Sequence, residues 1–127
     1  MTLAYIDTSC LVAIAFGEAG ATKVARRLER MDRLFASNLL EAELRSALAR
    51  EKLSADPAGL FSRITWVYPN RPLSDEFERI MVERYVKGAD LWHLACALFL
   101  APEPKDLAFL TLDKRQEQVA RRLGFPL

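Results

Sequence analysis

The chain has one histidine and two cysteines in 127 residues, too few nitrogen and sulfur donors for a zinc cluster. Cys10 and Cys96 both sit among apolar neighbours and read as small buried hydrophobes in a reducing compartment, not as a disulfide or metal pair. No signal peptide precedes Tyr5, and no apolar run approaches the ~18 residues of a membrane span. The longest, 94–101, is far too short, so the expectation is a cytoplasmic protein with no membrane contact. Charge of one sign is also lacking: the formal net charge is +1. That balance argues against coating nucleic acid by charge alone, although clustered acids could mask basic residues around a pocket. No repeat, low-complexity tract or linker divides the chain, and residues 1–127 read as a single domain. With 51% hydrophobic and 28% charged residues, a disordered or fibrous protein is excluded.

What is present is a set of acids in unusual places. Asp7 ends the run Tyr5-Ile6-Asp7-Thr8-Ser9, Glu43 lies in Leu39-Leu40-Glu41-Ala42-Glu43-Leu44, Asp90 in Gly88-Ala89-Asp90-Leu91-Trp92, and Asp113 closes Leu110-Thr111-Leu112-Asp113. Most other carboxylates stand among Lys and Arg. A carboxylate flanked by Ile, Leu and Trp is costly unless a cation or several hydrogen bonds replace its hydration. Should the four meet, two such charges about 4 Å apart would repel by roughly 4 kcal/mol. A divalent cation is the simplest remedy, and oxygen ligands without a His or Cys cluster favour Mg²⁺ or Mn²⁺ over Zn²⁺.

Apolar runs and caps alternate along the chain. Strands are expected at 3–6, 34–36, 64–68 and 107–112, with a short edge strand at 125–127. Helices are expected at 10–16, 19–31, 38–52, 58–63, 74–86, 89–100 and 114–123, with a break at 54–57. Thr8 or Ser9, Ser37 and Ser74 are the expected caps, and Gly17 and Gly124 the stops. This alternation predicts a three-layer α/β/α sandwich around a mostly parallel sheet, whose sites form at the carboxyl ends of the strands. Asp7 and Asp113 each fall at such an end.

Each acid also has a plainer reading. Asp7 could stop a strand and cap a helix, although Thr8 and Ser9 already offer hydroxyls for that. Glu43 lies on the helix stripe of Leu39, Leu40, Leu44 and Ala47, unlike Glu41, and could form an ion pair with Arg45 or Arg50. Asp90 could answer the helix dipole, which is worth only ~0.3–1 kcal/mol. Asp113 with Gln116 resembles a capping box. His93 reads as structural; Thr8, Ser9 and Thr111 read as donors that could orient carboxylates, or as caps and strand residues. Arg26, Arg27, Arg30, Lys114, Arg115, Arg121 and Arg122 read mostly as a solvated face, some meeting phosphates, and Trp66 and Trp92 as core. Val24, Leu28 and Leu48 could serve the core or a dimer.

Taken in order, Tyr5-Ile6-Asp7-Thr8-Ser9, Glu43-Leu44-Arg45-Ser46-Ala47-Leu48, Ala89-Asp90-Leu91-Trp92-His93-Leu94-Ala95 and Leu110-Thr111-Leu112-Asp113 resemble the PIN-domain family, and more closely the VapC-type toxins of toxin–antitoxin pairs. Any one motif is weak; four in sequence are specific. The resemblance implies an α/β/α domain with a parallel sheet, in which Asp7, Glu43, Asp90 and Asp113 hold Mg²⁺ or Mn²⁺ and cleave RNA. It also implies a homodimer restrained by a cognate antitoxin. Lys114-Arg115-Gln116 follows Asp113, so a further acid that some relatives carry there is absent. Two rival readings are a PIN-fold module that binds RNA or protein without catalysis, and a phosphoryl-acceptor protein. Tyr5 disfavours the second, because it stands where an Asp-x-Asp pattern needs its first acid.

Overall fold

The computed structural model describes residues 1–54 and 56–126. Four parallel strands, β1 (Leu3–Ile6), β2 (Arg33–Ser37), β3 (Ile64–Val67) and β4 (Ala108–Leu110), lie in the order β3-β2-β1-β4. The helices are α1 (Thr8–Phe16), α2 (Ala21–Glu29), α3 (Leu39–Arg50), α4 (Pro57–Phe61), α5 (Ser74–Glu83), α6 (Gly88–Leu100) and α7 (Lys114–Leu123), with a 3₁₀ turn at Pro104–Asp106. Alternation along each strand divides the interior into two cores. Ala4, Ile6, Leu34, Ala36 and Leu110 face Cys10, Leu11, Val24, Leu28, Leu40, Leu44 and Leu48 of α1 to α3. Tyr5, Val67 and Phe109 face Ile80, Leu94, Leu98, Val119 and Leu123 of α5 to α7. The chain is thus an α/β/α sandwich, and Val24, Leu28 and Leu48 belong to its core.

This topology creates one crevice in particular. After β1 the chain leaves toward the layer of α1; after the neighbouring β4 it leaves toward the opposite layer, with α7. Adjacent parallel strands whose connections part to opposite faces leave a gap at their carboxyl ends. Asp7 and Asp113 stand on its two sides.

Several boundaries differ from expectation for identifiable reasons. The last strand is three residues, Ala108–Leu110, not 107–112. β1 has ended at Ile6, and the amides of residues 112 and 113 turn to side chains instead: Leu112 N–H donates to Ser9 Oγ (2.9 Å) and Asp113 N–H to Thr111 Oγ1 (3.0 Å). Ser37 is not a helix cap; it is the last residue of β2, and its N–H donates to the Tyr5 hydroxyl at 3.2 Å. Nor does Ser74 cap: it opens α5, and Leu73 precedes it without a side-chain bond. α5 stops at Glu83 because Arg84 is extended (φ −172°, ψ 149°), which turns Val86 into the core. Gly124 ends α7 in the left-handed region at φ 104°, where a Cβ would be strained. The break expected at 54–57 and the edge strand at 125–127 each include a residue outside the described set, Ala55 and Leu127. Within it, Phe109 N–H donates to the Pro126 carbonyl at 3.1 Å and no strand forms at 125–126.

Both cysteines are buried free thiols. Cys10 donates to the Leu110 carbonyl at 3.3 Å, and burial pushes the Cys96 thiol up to about 12, so neither offers a thiolate.

Candidate active site

Asp7 follows β1 and is itself the N-cap of α1, displacing Thr8 and Ser9 from that role. Its Oδ1 accepts from Ser9 N–H (3.1 Å) and Ser9 Oγ–H (2.5 Å), and its Oδ2 accepts from Thr111 Oγ1–H. The Ser9 and Thr111 hydroxyls are 3.3 Å apart, but with both protons committed to Asp7 that contact carries no hydrogen bond. Asp7 is only 4% exposed. Burial raises its pKa; the donors of Ser9 and Thr111 pull the other way.

Glu43 projects from α3 to meet the first turn of α1 and the second turn of α6. Its Oε1 accepts from Thr8 Oγ1–H at 2.6 Å and lies 3.0 Å from His93 Nε2. The His93 bond holds its carboxyl below the usual range; burial opposes this and Thr8 reinforces it. The alternative reading, an ion pair with Arg45 or Arg50, is not what forms. Arg45 reaches back one turn to Glu41 (2.7 Å) and Arg50 to Glu51 (3.1 Å).

Asp90, in the first turn of α6, is half-buried, and no donor reaches its carboxylate among the described residues. Burial raises its pKa, and the charge of Asp113 and, less strongly, that of Glu43 add to this. Asp113 is exposed and caps α7, its Oδ1 accepting from Arg115 N–H (2.8 Å) and Gln116 N–H (3.2 Å). The capping box is only half made. The Gln116 side chain turns away and donates to the Asp90 carbonyl at 3.1 Å.

Asp7, Thr8, Ser9, Glu43, Asp90, His93 and Asp113 together line a pocket of about 80 Å³. A larger hollow of about 390 Å³ opens at the other end of the sheet, beside Leu3, Phe35 and Leu107, with a mostly apolar lining. The severe crowding of four charges is not what the pocket shows. Among the described residues, no three His, Cys, Asp or Glu side chains stand close enough to cage a metal ion. Asp7, Glu43 and Asp113 each have their own donors, and Asp90 alone keeps a carboxylate without one. The donor set is nevertheless that of a hard cation: carboxylate oxygens dominate and the one imidazole is engaged elsewhere. Asp7 and Glu43 each retain lone pairs for it, and no donor among the described residues reaches the Asp90 carboxylate.

Two members of this network have a larger part than the sequence reading gives them, in which His93 is structural and Gln116 half of a capping box. His93, 2% exposed, joins Glu43 to the Tyr5 hydroxyl, which lies 3.0 Å from Nδ1. Gln116, 1% exposed, ties the start of α7 to the start of α6. A usable signal was present for Tyr5: a phenol in a fully apolar strand needs a buried hydrogen-bond partner, and the chain has one histidine to offer.

A family model described as PIN domain matches residues 4–122, nearly the whole chain, and the chain belongs to that family. No curated protein and no solved structure shows significant similarity to it. PIN domains are generally nucleases with a divalent metal, which makes this a nuclease-type fold.

Proposed function

We propose that this PIN-domain chain is a Mg²⁺- or Mn²⁺-dependent endoribonuclease whose working carboxylates are Asp7, Glu43, Asp90 and Asp113. One observation carries the reading: acids from four separate elements line one pocket at the β1/β4 crevice, and Asp90 among them is left without a donor beside the charge of Asp113. A cation fits such a place because it relieves an electrostatic cost that the fold itself leaves standing.

A divalent ion supplies Lewis acidity, making water a competent nucleophile at neutral pH and offsetting charge that gathers on the scissile phosphate. The chain's own groups prepare the site for it. Asp7 presents oxygens whose orientation is set by Ser9 and Thr111. Glu43 stays ionised under Thr8 and His93, and is suited to orient the attacking water and take its proton. Asp90 offers unshared negative charge, and Asp113 adds to it at the rim.

Cleavage of a structured RNA, with and without Mg²⁺ or Mn²⁺, beside Asp7→Asn and Asp90→Asn, tests this. The expected result is cleavage that needs the ion and falls by at least about 100-fold in either variant, since even groups that merely orient metal ligands cost 10–100-fold. Mn²⁺ at about 100 times its Kd should also stabilise the wild type by about 2.7 kcal/mol. Metal-independent cleavage refutes the reading; a folded chain that binds no Mn²⁺ revives the non-catalytic binding module.

The finer reading, a VapC-type toxin acting in the cytoplasm as a homodimer and restrained by an antitoxin, is supported by the order of the four motifs. No helix among the described residues is long and apolar enough to cross a membrane. Expressing the chain with and without the small protein of the neighbouring reading frame tests it. Growth arrest relieved by that protein, and by Asp7→Asn, is expected.

A further inference from the structure

We propose that His93 is a positioning residue of the acidic pocket: Tyr5 occupies its Nδ1 and thereby aims a permanent Nε2–H donor at Glu43. What Glu43 then does rests on the ribonuclease reading; the lock itself does not.

The argument is a count of protons. Ser37 N–H donates to Tyr5 Oη at 3.2 Å, so that oxygen is already an acceptor and its single proton is free to be given. The acceptor in hydrogen-bond geometry with it is His93 Nδ1, at 3.0 Å, although the Ser37 hydroxyl and the Cys96 thiol also adjoin the phenol. The phenol cannot swing elsewhere, because its ring is fully buried and stacked on Phe109 with centroids 5.5 Å apart. Burial also pushes its pKa far above the usual range, so the proton stays on the oxygen. With Nδ1 accepting, the proton of a neutral imidazole must sit on Nε2.

Nε2 faces Glu43 Oε1 at 3.0 Å and Thr8 Oγ1 at 3.3 Å. Thr8 spends its own proton on the same Oε1, at 2.6 Å. One oxygen of Glu43 is therefore held by two donors from two helices, while no donor reaches Oε2 among the described residues. The other tautomer fails the count on both sides. It would set a lone pair of Nε2 against an ionised carboxylate and give Tyr5 Oη two incoming protons, leaving its own proton only the Ser37 hydroxyl or the weakly accepting Cys96 sulfur. The chain thus runs from the end of β2, through the middle of β1, to α6 and then to α3. A buried strand residue two positions before Asp7 orients the acid contributed by a distant helix.

His93 is the only histidine, so a long-range ¹H–¹⁵N spectrum of labelled protein contains one imidazole pattern. In the metal-free wild type at neutral pH, Nε2 protonated and Nδ1 bare is the expected pattern. In Tyr5→Phe, which keeps the ring on Phe109, the pattern should shift toward a mixture of tautomers. An Nδ1–H or doubly protonated imidazole in the wild type overturns the proposal, as does an unchanged pattern in Tyr5→Phe. Should that variant not fold, the wild-type spectrum alone still decides.

Positioning is read separately, from Mn²⁺ affinity. His93→Leu should weaken it about 10–100-fold, and His93→Gln, whose amide can present a donor near the place of Nε2, should recover most of that loss. Equal affinity in wild type and His93→Leu overturns the positioning role. A wild type that shows the Nε2–H pattern and yet binds no Mn²⁺ sinks the ribonuclease reading while upholding the lock.

Discussion

The two halves of the pocket are built on opposite electrostatic plans. On the Asp7 and Glu43 side, hydroxyls of Thr8, Ser9 and Thr111 and the imidazole of His93 converge on two carboxylates, so their orientation is set before anything binds. On the Asp90 and Asp113 side, one carboxylate has no donor and the other spends an oxygen on capping a helix. The first half is preorganised and the second is charge-strained. Such a division suits a site that must both place an ion and want one. Rigid oxygens without excess charge would bind weakly, and excess charge without rigid oxygens would bind without geometry.

The largest expected effect comes from removing a donor on the ordered side. Thr111→Val deletes the hydroxyl on Asp7 Oδ2 and leaves a nearly buried carboxylate short of a partner. The metal-free protein should lose about 1–3 kcal/mol, read as a lower urea midpoint at unchanged slope. Asp90→Asn, on the strained side, should cost nothing in the same assay, because it removes a charge that burial and Asp113 both disfavour. Matched losses in the two variants would erase the distinction between the halves.

Protons sharpen the same comparison. Asp7 and Asp90 titrate above the ordinary Asp value of 3.8, and Glu43 below its ordinary 4.5. For the two aspartates the folded state binds more protons than the unfolded one, so they make the metal-free protein more stable as pH falls from neutral toward 3.8. Glu43 has the opposite sign: its contribution is present above 4.5 and is lost as pH falls through its lowered folded value. Denaturation of the metal-free protein as pH is lowered from 7 toward 5 should therefore show the contribution of the two aspartates rising. Asp90→Asn should show a smaller gain. In the presence of Mn²⁺ the trend should reverse, since protons then compete with the ion for the same oxygens.

Much of the fold was legible because the signals for it are local. The short apolar runs of β1 and β3, the stop at Gly124 and the largely apolar α6 depend on neighbours in the chain. So did the choice of acids, since Glu43 on the core stripe of α3 points inward whatever it meets there. What it meets was not legible. Arg45 and Arg50 are near in sequence, but both face outward to nearby acids, and the partner comes from α6, 50 residues further along the chain. Asp7 was misjudged for a related reason. Thr8 and Ser9 looked like sufficient caps, but their hydroxyls are drawn to Glu43 and Asp7, leaving Asp7 to cap α1 while it lines the pocket. One residue doing both tasks leaves no trace in a linear pattern.

Asp113 is the sharpest instance of a double role, and two substitutions separate its parts. Asp113→Asn keeps an oxygen that can accept from Arg115 and Gln116 N–H and removes the charge; Asp113→Ala removes both. If the residue were only a cap, Asn would behave as wild type in every assay and Ala would lose about 1 kcal/mol of stability. If it also charges the strained half, Asn should leave stability within about 0.5 kcal/mol and still weaken Mn²⁺ binding. It should also bring the pKa of Asp90 back toward the ordinary Asp range, because the largest charge raising it is gone. The carboxyl ¹³C titration of Asp90 in the metal-free Asp113→Asn protein reads that change directly. An Asp90 titration that does not move would confine Asp113 to its capping role and leave the strain on this side to burial alone.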